Sequence, residues 1–279
     1  MTIDPAKLLA SPPIKTRHEI SRHDTILYAL GIGAEELKFV YEEQLETLPM
    51  MALVMAYPGF FLRNPEYGAD WKRILHADQS LEIHAPLPIE GVLLGETTFD
   101  AVYDKGPEKG ALVYTSRRIT SEDGTHVATA TAGAFLRGDG GCGSTHEVAP
   151  QPHKVPEDRP PDEVVELTTG SNQAMIYRLS GDLNPLHVDP EVAKSAGFDS
   201  PILHGLCTYG VVGRALLATC ADNDPARLKS MKARFSAPVF PGETIITEIW
   251  RESDTQVSFR ARLHERNVVV LSNGVGEIV

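Results

Sequence analysis

The chain repeats itself, and that repeat restricts its fold more than any other feature. Residues 81–91 (LEIHAPLPIEG) correspond to residues 231–242 (MKARFSAPVFPG), with Ala85-Pro86 matching Ala237-Pro238. Each run leads into three strand-like segments. In the first half these are 96–103, 110–120 and 125–135; in the second they are 243–251, 256–263 and 268–278. Alternating, β-branched segments with short polar turns predict an antiparallel meander in each half. Upstream, residues 26–31 (ILYALG) parallel residues 175–180 (MIYRLS). Shared order as well as shared pattern makes the halves copies of one plan.

A length of 279 residues is natural for two domains, each long enough to bury its own core. The segment 138–163 (GDGGCGSTHEVAPQPHKVPEDRPPDE) is rich in Gly, Pro and charge and lacks apolar periodicity, so it reads as a linker. The expected layout is a domain at 1–140, a linker at 141–162 and a domain at 163–279.

The halves diverge where chemistry is concerned. Residues 177–189 (YRLSGDLNPLHVD) place Asp182, Asn184 and His187 in a short turn that Gly181 and Pro185 hold out of regular helix. A carboxylate, an amide and an imidazole so close together suit proton transfer. At the matching place the first half has Gly31-Ile32-Gly33-Ala34-Glu35, with neither the Asp nor the His. A second signal starts at Ser200, where SPILHGLCTYG carries a Pro-led loop into the apolar stretch 206–221. Read as a helix start, it directs free N–H groups and the positive end of a helix dipole outward, which suits an anion or a developing oxyanion.

These two runs and the segment 190–198 between them resemble the signature of the MaoC-like hydratases, in particular the two-domain R-specific 2-enoyl-CoA hydratase 2 family. The resemblance extends over nearly the whole chain and is strongest from Tyr177 to Gly210. It implies an α+β double hot-dog, two tandem antiparallel sheets each wrapped around a central helix, and syn addition of water to a trans-2-enoyl-CoA to give the (3R)-3-hydroxyacyl-CoA. Asp182 and His187 would be the catalytic pair, Asn184 would order the water or the pair, and the Gly205 N–H would hold the thioester oxygen. By the same resemblance His76, Ala77, Lys105 and Phe235 fall where the family contacts CoA. The first half would then be a degenerate hot-dog that widens the binding tunnel for the acyl chain. A homodimer is the family expectation.

Each residue also has a structural reading. Asp182 and Asn184 can be turn or capping residues, Gly205 can serve close packing, and Asp189-Pro190-Glu191 reads as an N-cap with Pro in the first turn. His187, Asp189 and His204 can be argued as metal ligands, but no Cys or Glu cluster stands at ligand spacing; no metal and no separate cofactor are expected. A net charge of −12 disfavours nucleic acid as a partner, while the phosphates of a CoA ester would need a local basic patch, for which Lys105, Lys232 and Arg234 are candidates.

With no 18-residue apolar run, no N-terminal signal pattern, three scattered cysteines and the ending GEIV rather than a peroxisomal Ser-Lys-Leu address, the expectation is a cytoplasmic protein with no membrane segment. Rival expectations are a 3-hydroxyacyl-thioester dehydratase using the same groups in reverse, an acyl-CoA thioesterase, and a non-catalytic acyl-CoA binder. The order Asp182-Leu183-Asn184-Pro185-Leu186-His187 separates the hydratase from the thioesterase, and keeping both members of the pair speaks against a mere binder.

Overall fold

A computed structural model describes residues 3–279. Its helices are α1 (Pro5–Leu9), α2 (Arg22–Gly31), α3 (Leu37–Val40), α4 (Gln173–Tyr177), α5 (Pro190–Ser195) and α6 (Gly205–Cys220). The strands of the first half are β1 (Ile14–Ile20), β2 (Ile74–Ile83), β3 (Gly91–Asp104), β4 (Ala111–Ser121) and β5 (His126–Leu136). Those of the second are β6 (Glu163–Thr168), β7 (Leu228–Phe235), β8 (Thr244–Arg251), β9 (Gln256–Leu263) and β10 (Val269–Ile278).

The two predicted meanders are present as β3-β4-β5 and β8-β9-β10, and every pairing is antiparallel. The halves have the same strand order and meet edge to edge, so that ten strands form one sheet in the order β1-β3-β4-β5-β2-β7-β10-β9-β8-β6. At the seam Leu81 pairs with Met231, Ser80 with Lys232 and Glu82 with Ser230. Leu81 and Met231 are the positions matched between the sequence copies, so a pseudo-two-fold axis passes between them. This is the double hot-dog plan, with its two sheets fused.

The long helix is present in the second half alone. α6 runs for 16 residues and buries nearly all of its surface, including Val211, Val212, Ala215, Leu216 and Leu217, as a helix apolar on every side must. Beyond its end, Asp222 and Asn223 take φ of 52° and 60°, values that short polar side chains tolerate best. In the first half Pro49, Pro58 and Pro65 interrupt the corresponding stretch, and α3 and short 3₁₀ turns at Pro49–Leu53, Phe61–Arg63 and Pro65–Tyr67 occupy it.

The halves share one core. A single buried cluster runs from Tyr28, Ile32, Met50 and Leu81 to Tyr177, Val212, Met231 and Phe259. Two glycines let α6 approach the first half: a Cβ at Gly210 would lie 2.5 Å from Ile32 Cγ2, and one at Gly213 would lie 2.6 Å from Met50 Sδ. The carbonyls that α2 leaves open at its C-terminus are closed by the second half. Gln173 Nε2 donates to Leu30 and Gly31, Cys207 Sγ to Gly31 and Arg214 Nη1 to Ile32.

Residues 141–162 contain neither helix nor strand, yet they are held down. The Val102 N–H donates to Thr145 Oγ1 at 2.9 Å, Asn273 Nδ2 donates to the His153 carbonyl at 2.6 Å and Trp250 Nε1 donates to the Arg159 carbonyl at 3.1 Å. No helix among the described residues is long and apolar enough to cross a membrane.

Candidate active site

The turn after α4 is built by local hydrogen bonds. Gly181 takes φ 118°, ending the 3₁₀ turn Arg178–Ser180, and the Asn184 N–H donates to Asp182 Oδ1 at 3.2 Å. Asn184 Oδ1 in turn accepts from the Leu186 N–H at 3.1 Å and caps the 3₁₀ turn Pro185–His187. The side-chain oxygen of Asn184 is therefore used structurally, and its Nδ2 carries no bond among the described residues. Asp189 is the N-cap of α5, accepting from Glu191 and Val192.

His187 lies at the end of that turn, 8% exposed. Its Nδ1 is 2.8 Å from the Ile202 carbonyl. A carbonyl can only accept, so Nδ1 carries the proton and Nε2 presents a lone pair in the neutral ring. Burial lowers the pKa of His187, against the opposing pull of the Ile202 carbonyl and the Asp182 charge. The ring is thus held neutral, beside a partly exposed carboxylate.

His204 completes the group. It is 1% exposed and stacks on His187 with centroids 3.7 Å apart and planes at 27°. Its Nε2 donates to the Asp182 backbone carbonyl at 3.1 Å, while its Nδ1 is buried without a partner. Burial, and then the neighbouring His187, push its pKa down to about 4. One carboxylate oxygen of Asp182 and one nitrogen from each ring lie within 4.8 Å of one another.

Those three could be offered to a metal. However, two rings packed face to face cannot both aim an in-plane lone pair at one ion about 2.1 Å away. A water, accepting and donating at about 2.8 Å, bridges groups at such a separation readily.

Leu203 and His204 lead directly into α6. No acceptor is found among the described residues for the Gly205 and Leu206 N–H groups, which open the helix. Such unpaired donors, reinforced by the helix dipole, suit a developing negative charge. Phe235 of β7 lies over Gly205, 3.1 Å from where a Cβ would stand, and packs at a tilt of 47° against the His76 ring, with centroids 4.5 Å apart.

His76 and Ala77 lie at a bulge in β2, where pairing with β5 shifts register. The His76 ring is solvent-exposed, and the protein packed around it lowers its pKa from the ordinary imidazole value. Sequence reasoning thus grouped Asp182, Asn184, His187 and Gly205, and the fold adds His76 and Phe235 to them. Lys105 is exposed on the turn after β3, and no contact among the described residues ties it to this group. Lys232 and Arg234 face a residue that the sequence did not single out: Asp78, buried in β2, pairs with Arg234 across the seam and feels both cations.

Two further residues lie beside this group, Tyr57 unassigned by the sequence and His204 weighed there only as a metal ligand. Tyr57 is 44% exposed, lies 5.2 Å from the Arg117 guanidinium and feels the charge of Asp182, so the strap that follows Pro49 reaches the Asp182 turn from the first half. No periodicity signals it, since the strap is irregular and is held by long-range bonds. Arg117 donates to the Ala52 and Leu53 carbonyls, Thr16 donates to the Ala56 carbonyl, and the Ala56 N–H donates to His18 Nδ1. The other is His204, whose signal was its place directly before the helix-opening glycine.

The profile described as MaoC like domain matches residues 153–273, and that of the MFE-2 hydratase 2 N-terminal domain matches residues 18–138. The probable enoyl-CoA hydratase 2 of Dictyostelium discoideum is 41% identical over 291 residues, covering 100% of this chain and 97% of the relative. The 3-hydroxyacyl-thioester dehydratase Y of Mycobacterium tuberculosis is 40% identical over 299 residues, covering 100% and 99%. Among solved structures, a MaoC-like dehydratase from Phytophthora capsici superposes with a TM-score of 0.90 at 38% identity, over 98% of each chain.

Proposed function

Since the chain belongs to the MaoC-like, two-domain enoyl-CoA hydratase 2 family, we propose that it is a hydro-lyase for the R-specific hydration of trans-2-enoyl-CoA to (3R)-3-hydroxyacyl-CoA in fatty acyl-CoA metabolism. The observation that carries the reading is the Asp182 carboxylate set beside a neutral, buried His187 within 4.8 Å, next to the open N-terminus of α6.

Hydration needs a base for the attacking water, an acid for the α-carbon and a donor for the enolate-like oxygen. Asp182 and His187 hold one water between them. As its oxygen bonds to C3 and the π bond opens, the pair takes up the water's proton, on His187 Nε2 or on the Asp182 carboxylate, and that proton is then returned to C2, which leaves both groups as they began. Because both act from one side of the substrate, the addition is syn. The Gly205 N–H holds the thioester oxygen where negative charge gathers. Each acid–base group contributes about 10² to 10⁴ in rate and one oxyanion donor about 10² to 10³. His76 and Phe235, with Ala77 beside them, form a wall for the CoA arm, and Lys105 is assigned to CoA by the family resemblance alone.

The reverse dehydration uses the same groups, and a relative named as a dehydratase favours it as a second reading. We extend the proposal to a cytoplasmic homodimer that needs no added cofactor. Its support is the family resemblance and three free cysteines, Cys142, Cys207 and Cys220, suited to a reducing compartment; light scattering and cell fractionation test it.

The decisive experiment mixes purified protein with trans-2-enoyl-CoAs of several chain lengths, follows loss of enoyl absorbance and resolves the product on a chiral column. Formation of the (3R)-hydroxyacyl-CoA is expected. The (3S) product, or release of free CoA without hydration, overturns the reading.

A further inference from the structure

An N-cap residue ordinarily turns its side chain onto the first N–H groups of its helix. His204, the N-cap of α6, makes no such bond. Its side chain reaches back to the catalytic turn instead, with Nε2 on the Asp182 carbonyl at 3.1 Å and its ring flat against His187 at 3.7 Å. A serine or aspartate here would cap the helix by accepting from the Leu206 or Cys207 N–H, whereas this imidazole is turned away from the helix altogether. The remaining nitrogen, Nδ1, is buried without a partner in a residue 1% exposed, a costly arrangement for a purely structural side chain.

We propose that His204 is the positioning residue of this site: one imidazole fixes the Asp182 turn through its donor and holds the His187 ring through its face.

The inference rests on the hydratase reading and extends it. The groups facing His204 are His187, Asp182, Tyr177 with its ring 5.0 Å away, and the charge of Arg178. None is a carboxylate bonded to the ring, so the ring stays neutral while His187 cycles its proton. The two functions can be separated by substitution. His204→Phe keeps an aromatic plate and loses the donor; His204→Gln keeps a donor at similar reach and loses the plate.

The test uses the full-length enzyme with trans-2-enoyl-CoA, alongside circular dichroism, melting temperature and the NMR titration of the His187 ring. For His204→Phe, kcat falls about 10- to 100-fold, the range that a displacement of up to about 1 Å produces, while KM stays within about threefold. For His204→Gln, kcat stays closer to wild type. Its acid limb of kcat/KM and the His187 titration both move upward, because the ring that shields His187 from water is gone. A folded His204→Phe within about twofold of wild-type kcat overturns the proposal, and so does an unmoved His187 titration in His204→Gln. A lowered melting temperature with kcat intact does the same, since it marks a structural role alone. If His204→Phe does not fold, His204→Gln decides. Inactive wild-type enzyme defeats the hydratase reading instead, and the His187 titration then still reports on the positioning.

Discussion

Replacing Gly205 by proline and by alanine separates the hydrogen bond it offers from the space it leaves. Proline removes the N–H proposed to hold the thioester oxygen, and the backbone is suited to accept it. Position 205 is the first of α6, where proline is favoured, and His204 has φ −59° and ψ 136°, the extended conformation required before proline. The contact with Phe235 is common to both substitutions, because either introduces a Cβ 3.1 Å from Phe235 Cε1 and 3.3 Å from Cδ1. That contact requires Phe235, and the His76 ring packed against it, to move by a few tenths of an ångström. At about 10² in rate per ångström of misplacement, the movement lowers kcat about threefold. Loss of the donor adds about 10²- to 10³-fold, or about 3 to 4 kcal/mol of transition-state stabilisation. The expected order is wild type, Gly205→Ala about threefold down, and Gly205→Pro a further hundredfold or more below that, measured as steady-state hydration with folding checked by circular dichroism. Gly205→Ala and Gly205→Pro of equal activity would refute the oxyanion role and leave a packing role for the glycine.

Asp182→Asn and His187→Gln are each expected to lower kcat by about 10² to 10⁴ while binding a saturated acyl-CoA normally in calorimetry; near-wild-type turnover in either rejects the pair. The acid limb of kcat/KM is expected below the ordinary histidine value of 6.5, because burial lowers the pKa of His187 and the neutral form persists until the pH falls through that lowered value; a limb above 6.5 contradicts it. Gly210→Ala drives its Cβ into the buried, β-branched Ile32, and overpacking of about 1–3 kcal/mol outweighs the gain of about 1 kcal/mol in helix propensity, whereas Gly213→Ala meets only the flexible Met50 and comes out near neutral. Urea melts that rank the two in the opposite order reject this account of the α6 contact.

The six meander strands were legible because their alternation is long and their inward residues are apolar, as in β4, whose burial alternates from Ala111 to Ile119. The edge strands were not. β1 turns Thr16 and His18 to the inner side, where the strap is fastened to them, and the charged β6 has only Val165 and Leu167 partly covered. The missing long helix of the first half was foreshadowed by Pro49, Pro58 and Pro65, but sequence similarity between the copies pulled the other way. At the site, Asp182, His187 and Gly205 were readable because they stand within 24 positions of one another. The approach of His76 and Tyr57 depends on how the two halves are joined, which no local pattern encodes. His204 was visible as a residue, but its function lies in a ring stack and an unused cap, which only coordinates reveal.

The β2–β7 seam gives the half without acid–base groups a reason to persist. Severed there, either half would expose a bare strand of N–H and C=O groups, a template for pairing with any other chain. The first half would also strand the carbonyls of Gly31 and Ile32 that Gln173, Cys207 and Arg214 now satisfy. The repeat visible in the sequence is thus a record of ancestry and no longer a plane of cleavage. A deletion that spares every proposed catalytic residue but removes the first half is expected to yield insoluble chain, and the inheritable unit is the whole ten-stranded sheet.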